Sequence, residues 1–175
     1  MPRDCGKSGG RRLNSPPMKV HQLTEFSIYL QQRPGELAGV LDAATAAGVD
    51  IFSISTTEHL DRGCVRVLGR PEEALRQVCE SLVEAGIGPV VESPVVAVSI
   101  TDRPGVVRDL TVLMADNRIN VRYCYLIPGD QAYPHAMCVF RFDEHDRAME
   151  VIEQADIPDI ASLEMPGDVG GESAA

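Results

Sequence analysis

The sequence predicts an α+β fold: two consecutive βαββαβ repeats, with antiparallel sheets and helices on one face. Three observations carry this. Arg33-Pro34-Gly35 recurs 70 residues later as Arg103-Pro104-Gly105. An alternating apolar segment precedes each copy: Phe26, Ile28 and Leu30 in one, Val96, Val98 and Ile100 in the other. A helical pattern follows each. Leu37, Val40, Leu41 and Ala44 recur at i, i+3, i+4 and i+7, as do Val107, Leu110 and Met114 at i, i+3 and i+7.

The first repeat reads as strand 24–31, helix 35–47, strand 50–58, strand 63–69, helix 71–85 and short strand 88–92. Gly48 ends the first helix as a C-terminal glycine does. Pro71 suits the first turn of the second helix, where Glu72 and Glu73 meet the positive end of the helix dipole. The second repeat reads as strand 95–101, helix 105–116, strand 119–127, strand 135–142, helix 144–155 and short strand 159–164. Asp143 suits the cap of its last helix, with Glu144 and Asp146 in the first turn. The offset of 70 grows to 74 at the third strands, where Cys64-Val65 pairs with Cys138-Val139, and stays there through Ala74-Leu75 and Ala148-Met149. Four extra residues around Pro128-Gly129-Asp130 account for it. The offset returns to 70 at Ala85 and Ala155, so the last helix is about one turn shorter.

This order is the split βαβ, or ferredoxin-like, sandwich. A unit of roughly 70 residues is marginal alone, and its sheet leaves open edges. The two repeats are therefore expected to cover each other.

Residues 1–18 read as a disordered basic tail, 19–92 as the first repeat, 93–164 as the second and 165–175 as a second disordered tail. Met18 is an alternative start. The chain of 175 residues has a formal net charge of −10. Up to Lys19 it holds five basic residues and one acid, a net of +4; the rest holds 11 basic and 25 acidic residues, a net of −14. Such a body repels phosphate backbones, which argues against nucleic acid. Lys7 and Lys19 are the only lysines, so the repeats contain no Schiff-base or phosphate-loop lysine. Five cysteines without a CxxC pair indicate reduced thiols and a cytoplasmic protein. No apolar run is long enough to span a membrane, and the N-terminus lacks a signal peptide's apolar stretch.

The repeated loops are Gln32-Arg33-Pro34-Gly35-Glu36-Leu37 and Asp102-Arg103-Pro104-Gly105-Val106-Val107. Proline sets φ for a helix start. Glycine admits a ligand or a backbone closely. The unpaired N–H groups of the helix behind suit a carboxylate, while Asp102 can face an ammonium group. A free amino acid carries both charges. A structural role remains open beside this one, since Pro-Gly at a strand-to-helix turn also serves the turn itself.

Asp102-Arg103-Pro104-Gly105-Val106-Val107, followed by Ile119-Asn120-Val121, resembles the ACT domain, a ferredoxin-like module that binds amino acids and regulates their metabolism. The family pattern is D-x-P-G-x-L, a helix, then I-N-I. Val107 stands for the usual Leu; in the first repeat Gln32 stands for Asp and Asp50 for Asn. The stretch from Lys19 to about Leu163 resembles stand-alone tandem ACT proteins of bacteria. The resemblance implies a ligand where the loop of one repeat meets the second-strand start of the other. It implicates Arg33, Pro34, Gly35, Glu36, Asp102, Arg103, Pro104, Gly105 and Val106, with Asp50 and Asn120 across the interface. It also implies a homodimer and an enzyme of amino-acid metabolism as partner.

The remaining residues point to structure. Cys64 and Cys138 read as equivalent core positions on the third strands. Cys79 and Cys124 share no ligand spacing, and His21, His59, His135 and His145 lie on four different elements; no metal or cofactor is expected. Tyr123 and Tyr125 share one face of their strand, either packing between the repeats or walling a pocket. HExxH and GxGxxG are absent. The expected function is a non-enzymatic sensor of a free amino acid or similar metabolite. The alternative is an interaction subunit of an amino-acid-metabolism enzyme that binds nothing small.

Overall fold

The computed structural model describes residues 20–59, 62–100, 104–129 and 136–155. Six strands and four helices follow in order: β1 (Val20–Gln31), α1 (Glu36–Ala46), β2 (Asp50–His59), β3 (Arg62–Arg70), α2 (Glu72–Glu84), β4 (Val90–Ile100), α3 (Val106–Asp116), β5 (Val121–Ile127), β6 (Ala136–Phe142) and α4 (His145–Gln154). They form one antiparallel sheet in the order β2-β3-β1-β4-β6-β5. The expected strand 159–164 and both tails lie outside the described residues, as do Asp102, Arg103 and His135.

Facing residues on paired antiparallel strands share a side of the sheet. Phe26 pairs with Val67, and its counterpart Val96 pairs with Phe140. All four point toward the helices. Phe26, Ile28, Val65 and Val67 pack with Val40, Leu75 and Leu82; Val96, Val98, Cys138 and Phe140 pack with Leu110, Met114 and Ile152. Each fully buried large apolar side chain contributes about 1.5–3 kcal/mol. The four helices thus cover one face, as the pattern predicts.

The repeats are fused rather than merely adjacent. The expected strands 88–92 and 95–101 are a single strand, β4, which runs unbroken through residues 92 and 93. Pro94 cannot donate to a ladder, yet the strand tolerates it because β6 begins to pair only at Val96. β1 starts at Val20, earlier than expected, and its first residues pair with Val95–Val98 of the second repeat.

The ladders correct the offset. Val67 corresponds to Phe140 and Val65 to Cys138, an offset of 73. In the helices, buried Leu75 and Cys79 correspond to Ala148 and Ile152, again by 73. The second hairpin is three residues longer, not four, and α4 is three residues shorter than α2. Cys64 and Cys138 are both buried, as expected, but they are not equivalent. Cys64 sits opposite Tyr29 on the helix-free face, whereas Cys138 sits opposite Val98 beneath the helices.

Gly48 ends α1 at φ 70°, with the Val49 N–H returning to the Ala44 carbonyl at 3.0 Å. In the second repeat Arg118 adopts the same left-handed conformation at φ 57°, and the Ile119 N–H returns to Met114 at 2.9 Å. Pro71 occupies the cap of α2, one residue ahead of its expected place in the first turn. Glu144, not Asp143, occupies the cap of α4. The Asp143 carboxylate instead accepts hydrogen bonds from Asn120 (2.9 Å) and from Arg122.

The helix-free face is folded upon itself. Tyr123 of β5 lies three strands from Glu25 of β1, about 14 Å in a flat sheet, yet their side chains meet at 2.5 Å. The sheet therefore curls, bringing the β2–β3 and β5–β6 hairpins together over Val95, Ala97 and Val139.

Candidate functional site

Both repeated loops open a helix in the same way. Gly35 and Gly105 cap α1 and α3 at φ 93° and 91°, in the left-handed region that glycine alone occupies readily. Their carbonyls accept the first intrahelical bonds, from Gly39 and Asp109, at 2.9 Å each. A Cβ on Gly35 would meet nothing within 4 Å, so its glycine answers to backbone conformation and not to close approach. Neither cap has a side-chain hydrogen bond, which leaves first-turn N–H groups open to solvent or a ligand.

At the first loop, where the Glu36 N–H returns to the Arg33 carbonyl at 3.4 Å, the start of α1 borders a cleft of about 220 Å³. Its walls are the end of β1 (Tyr29, Leu30, Gln31), Arg33 and Glu36, and the Ala85–Gly88 turn between α2 and β4. The turn is tied down by the Tyr29 N–H, which donates to Pro89 at 3.0 Å, and by the Arg62 guanidinium, which donates to the Gly88 carbonyl at 3.3 Å. Arg33 and Glu36 put opposite charges on one rim. The turn was not singled out in the sequence, although Gly86 and Gly88, with φ of 82° and 135°, mark it. A larger groove of about 360 Å³ runs along α2 beside Glu80, Glu84 and Glu92. Its arginine, Arg76, is already held by Glu72, Glu73 and Glu92 at 2.8–3.1 Å, so the groove offers an anion little.

The other expected site residues are dispersed. Pro34 and Gly35 shape the first loop and Pro104 and Gly105 the second. Val106 is buried in the second core. Asp50 starts β2 opposite Arg70, while Gln31, at the loop end of β1, lies opposite Arg62. The eight residue steps separating those two β3 positions span about 26 Å. Asn120 donates to Asp143 within its own repeat. Because β1 and β4 are antiparallel, the two loops sit at opposite ends of the sheet, about 40 Å apart along the strands. By register, each second-strand start lies about 23 Å short of the other repeat's loop. A single chain does not bring those residues together.

The described residues do form one dense polar cluster between the repeats. The fully buried Glu25 carboxylate accepts hydrogen bonds from Tyr123 (2.5 Å) and Tyr125 (2.6 Å). Arg66 lies 3.7 Å from it, with its guanidinium stacked 4.4 Å from the Tyr123 ring centroid. Burial, reinforced by the carboxylate, pushes both phenols well above their ordinary range. These tyrosines pack between repeats, as one of the two readings held. Only their alternation signalled this; nothing in the sequence pointed to Glu25. Among the described residues no His, Cys, Asp and Glu group could hold a metal ion, and no helix is long and apolar enough to cross a membrane.

Two βαββα units sharing one sheet, each with a glycine-opened helix after its first strand, define a tandem ferredoxin-like module. The chain belongs to the ACT domain pair family, whose model matches residues 18–165. Its fold is similar to that of protein BT0572 from Bacteroides thetaiotaomicron (19% identity, 76% of this chain and 88% of that one, TM-score 0.65). It is also similar to the ligand-free regulatory subunit of aspartate kinase from Thermus thermophilus (15% identity, 82% and 99%, TM-score 0.56). No curated protein sequence matches the chain.

Proposed function

We propose that this ACT pair is a non-enzymatic regulatory module that binds a free amino acid or a closely related metabolite at its β1–α1 loops. The observation that carries this reading is the cleft at the first loop. The Arg33 guanidinium suits a carboxylate, Glu36 suits an ammonium group, and about 220 Å³ suits a small molecule. Membership of the ACT domain pair family supports it. Since one chain keeps the loops apart from Asp50 and Asn120, a homodimer is the assembly in which a loop would meet the partner's second strand. Ligand that favours one arrangement of the two copies would shift the equilibrium between arrangements by its differential affinity. An enzyme of amino-acid metabolism is the partner that would read this shift, in the cytoplasm.

One observation favours the alternative, an interaction subunit without a small ligand. Gln32, where the family has Asp, donates to Glu58 at 3.3 Å and is engaged within the protein. Thermal unfolding against the twenty amino acids separates the two readings. A ligand at about 100 times its Kd adds about 2.7 kcal/mol and raises Tm by about 5–10 °C for a chain of this size. Arg33→Ala is expected to abolish most of that shift. No shift with any amino acid would leave the interaction subunit standing.

A further inference from the structure

We infer that β2 and β3 couple the first-loop cleft to the second repeat: one end of the pair is tied to the cleft walls, and Arg66, farther along, meets Glu25 and Tyr123. The inference rests on the reading of the cleft as a binding site and names how its occupancy is passed on.

The cleft and the buried cluster lie far apart along β1. Gln31 at the cleft and Glu25 in the cluster are six residue steps from each other, about 20 Å. The β2–β3 pair bridges that distance. Its cleft end is gripped twice. Arg62 of β3 reaches across β1 and donates to the Gly88 carbonyl of the cleft wall at 3.3 Å. Glu58 of β2 accepts from Gln32, the neighbour of Arg33 in the loop, at 3.3 Å.

From there the connection runs along β3. Arg62 and Arg66 pair with Gln31 and Ser27, so they stand on one face of the strand, four residue steps or about 13 Å apart. Arg66 Nη1 donates to Thr57 Oγ1 of β2 at 3.0 Å, which makes the guanidinium travel with the two strands. Glu25 and the Tyr123 ring, which Arg66 touches, belong to β1 and β5. Arg66 Nε is buried and donates to nothing among the described residues; it stays 3.7 Å from the Glu25 carboxylate. That contact has slack, since a shift of about 0.7 Å closes it to an ordinary hydrogen bond. A buried donor without an acceptor is costly, so making this bond favours the shifted position.

A carboxylate in the cleft supplies the pull. Arg62 donates to a neutral carbonyl, and a charged acceptor beside it forms the shorter and stronger bond. Drawing Arg62 toward the cleft displaces β3 and, with it, Arg66. Tyr123 shares Glu25 with Tyr125, and both phenols sit on β5, the outermost strand of the second repeat. Empty and filled clefts thus correspond to a loose and a tight Arg66 contact. Ligand shifts the balance only by its preference for one of them.

NMR of the full-length chain with tyrosine labelled at Cζ tests this, because that carbon reports the hydrogen bonding of each phenol. Tyr29→Phe, Tyr123→Phe and Tyr125→Phe assign the resonances. Arg62→Ala cuts the tie without any ligand and is expected to move the Tyr123 and Tyr125 resonances. Arg147→Ala, which breaks the Glu144 ion pair on α4, is the control and should leave both in place. Movement of Tyr29 alone, the tyrosine of the cleft wall, overturns the inference. A second arm uses the amino acid that raises Tm most among the twenty. Its Kd, measured by titration calorimetry, should change about fivefold or more in Tyr125→Phe, the scale of ordinary coupling between sites. An unchanged Kd refutes the coupling and leaves the binding reading intact. If none of the twenty raises Tm, the binding reading fails and takes this inference with it.

Discussion

The Tyr125 hydroxyl donates a 2.6 Å hydrogen bond to the Glu25 carboxylate, a hundred residues away in the chain. The bond joins β5 of the second repeat to β1 of the first, on the face without helices. A buried carboxylate is tolerated when its lone pairs are satisfied; two phenols donate to Glu25, and the Arg66 guanidinium adds an ion pair at 3.7 Å. Tyr125→Phe removes one donor and keeps the ring. A hydrogen bond to a charged group contributes about 1.5–3 kcal/mol, so unfolding in urea is expected to show a loss of about 2 kcal/mol. An unchanged midpoint and slope would mean that the cluster does not hold the hairpins together.

The two glycine caps make a paired prediction. Gly35→Ala and Gly105→Ala each force an L residue to φ near 90°. The left-handed region costs about 1–2 kcal/mol, partly offset because alanine restricts the unfolded chain. A net loss of about 1 kcal/mol is expected for each. At Gly35 the methyl group meets open space, so a much larger loss there would reveal a contact made by something outside this chain.

Much of the fold is legible in the sequence because both periods are clean: alternation before each Pro-Gly, and helical spacing after it. What is not legible has physical causes. Matching Cys64 with Cys138 aligns like with like, but strand register follows facing pairs and not residue identity; a one-residue slip turns every side chain over. Pro94 falls in the gap between the expected strands 88–92 and 95–101, yet β4 passes through it because no β6 ladder bond is needed there. Arg33, Gly35 and Glu36 of the site could be read from a local motif. The Ala85–Gly88 wall of the cleft and the Glu25 cluster come from distant parts of the chain, without any local pattern to announce them.

Arg118 performs the helix-ending task of Gly48 with a side chain that opposes it. Arg118→Gly relieves the cost of φ 57° at an exposed position while loosening the unfolded chain. The balance favours glycine by about 0.5 kcal/mol, read as a rise in Tm of about 1–2 °C. A fall would show that the arginine makes an interaction worth more than its backbone strain.

Asp143 gives an acid-side prediction. Its hydrogen bond from Asn120, and then that from Arg122, hold the carboxyl below its ordinary value. A depressed folded-state pKa contributes stability above the unfolded value, and the contribution disappears as pH falls through the folded value. The Tm difference between the parent and Asp143→Asn should therefore be largest at neutral pH and shrink below about pH 4. A difference that stays constant between pH 7 and pH 3 would remove the linkage. The group is exposed, so the effect is expected to fade in high salt as well.

The thiols should separate by reactivity. Burial pushes Cys79 up to about 11 and Cys138 up to about 12, and Cys64 is buried. At pH 8 a thiol of pKa 11 is ionised in about one molecule in a thousand, and the thiolate is the reacting species. Cys124, on edge strand β5, is exposed. Brief alkylation with iodoacetamide, mapped by peptide so that Cys5 is read separately, should modify Cys124 within minutes and leave Cys64, Cys79 and Cys138 intact. In urea all four should react at similar rates, which controls for intrinsic differences. Rapid modification of Cys138 in the native chain would show that the β5–β6 edge opens on that timescale and that the second core is less closed than its packing indicates.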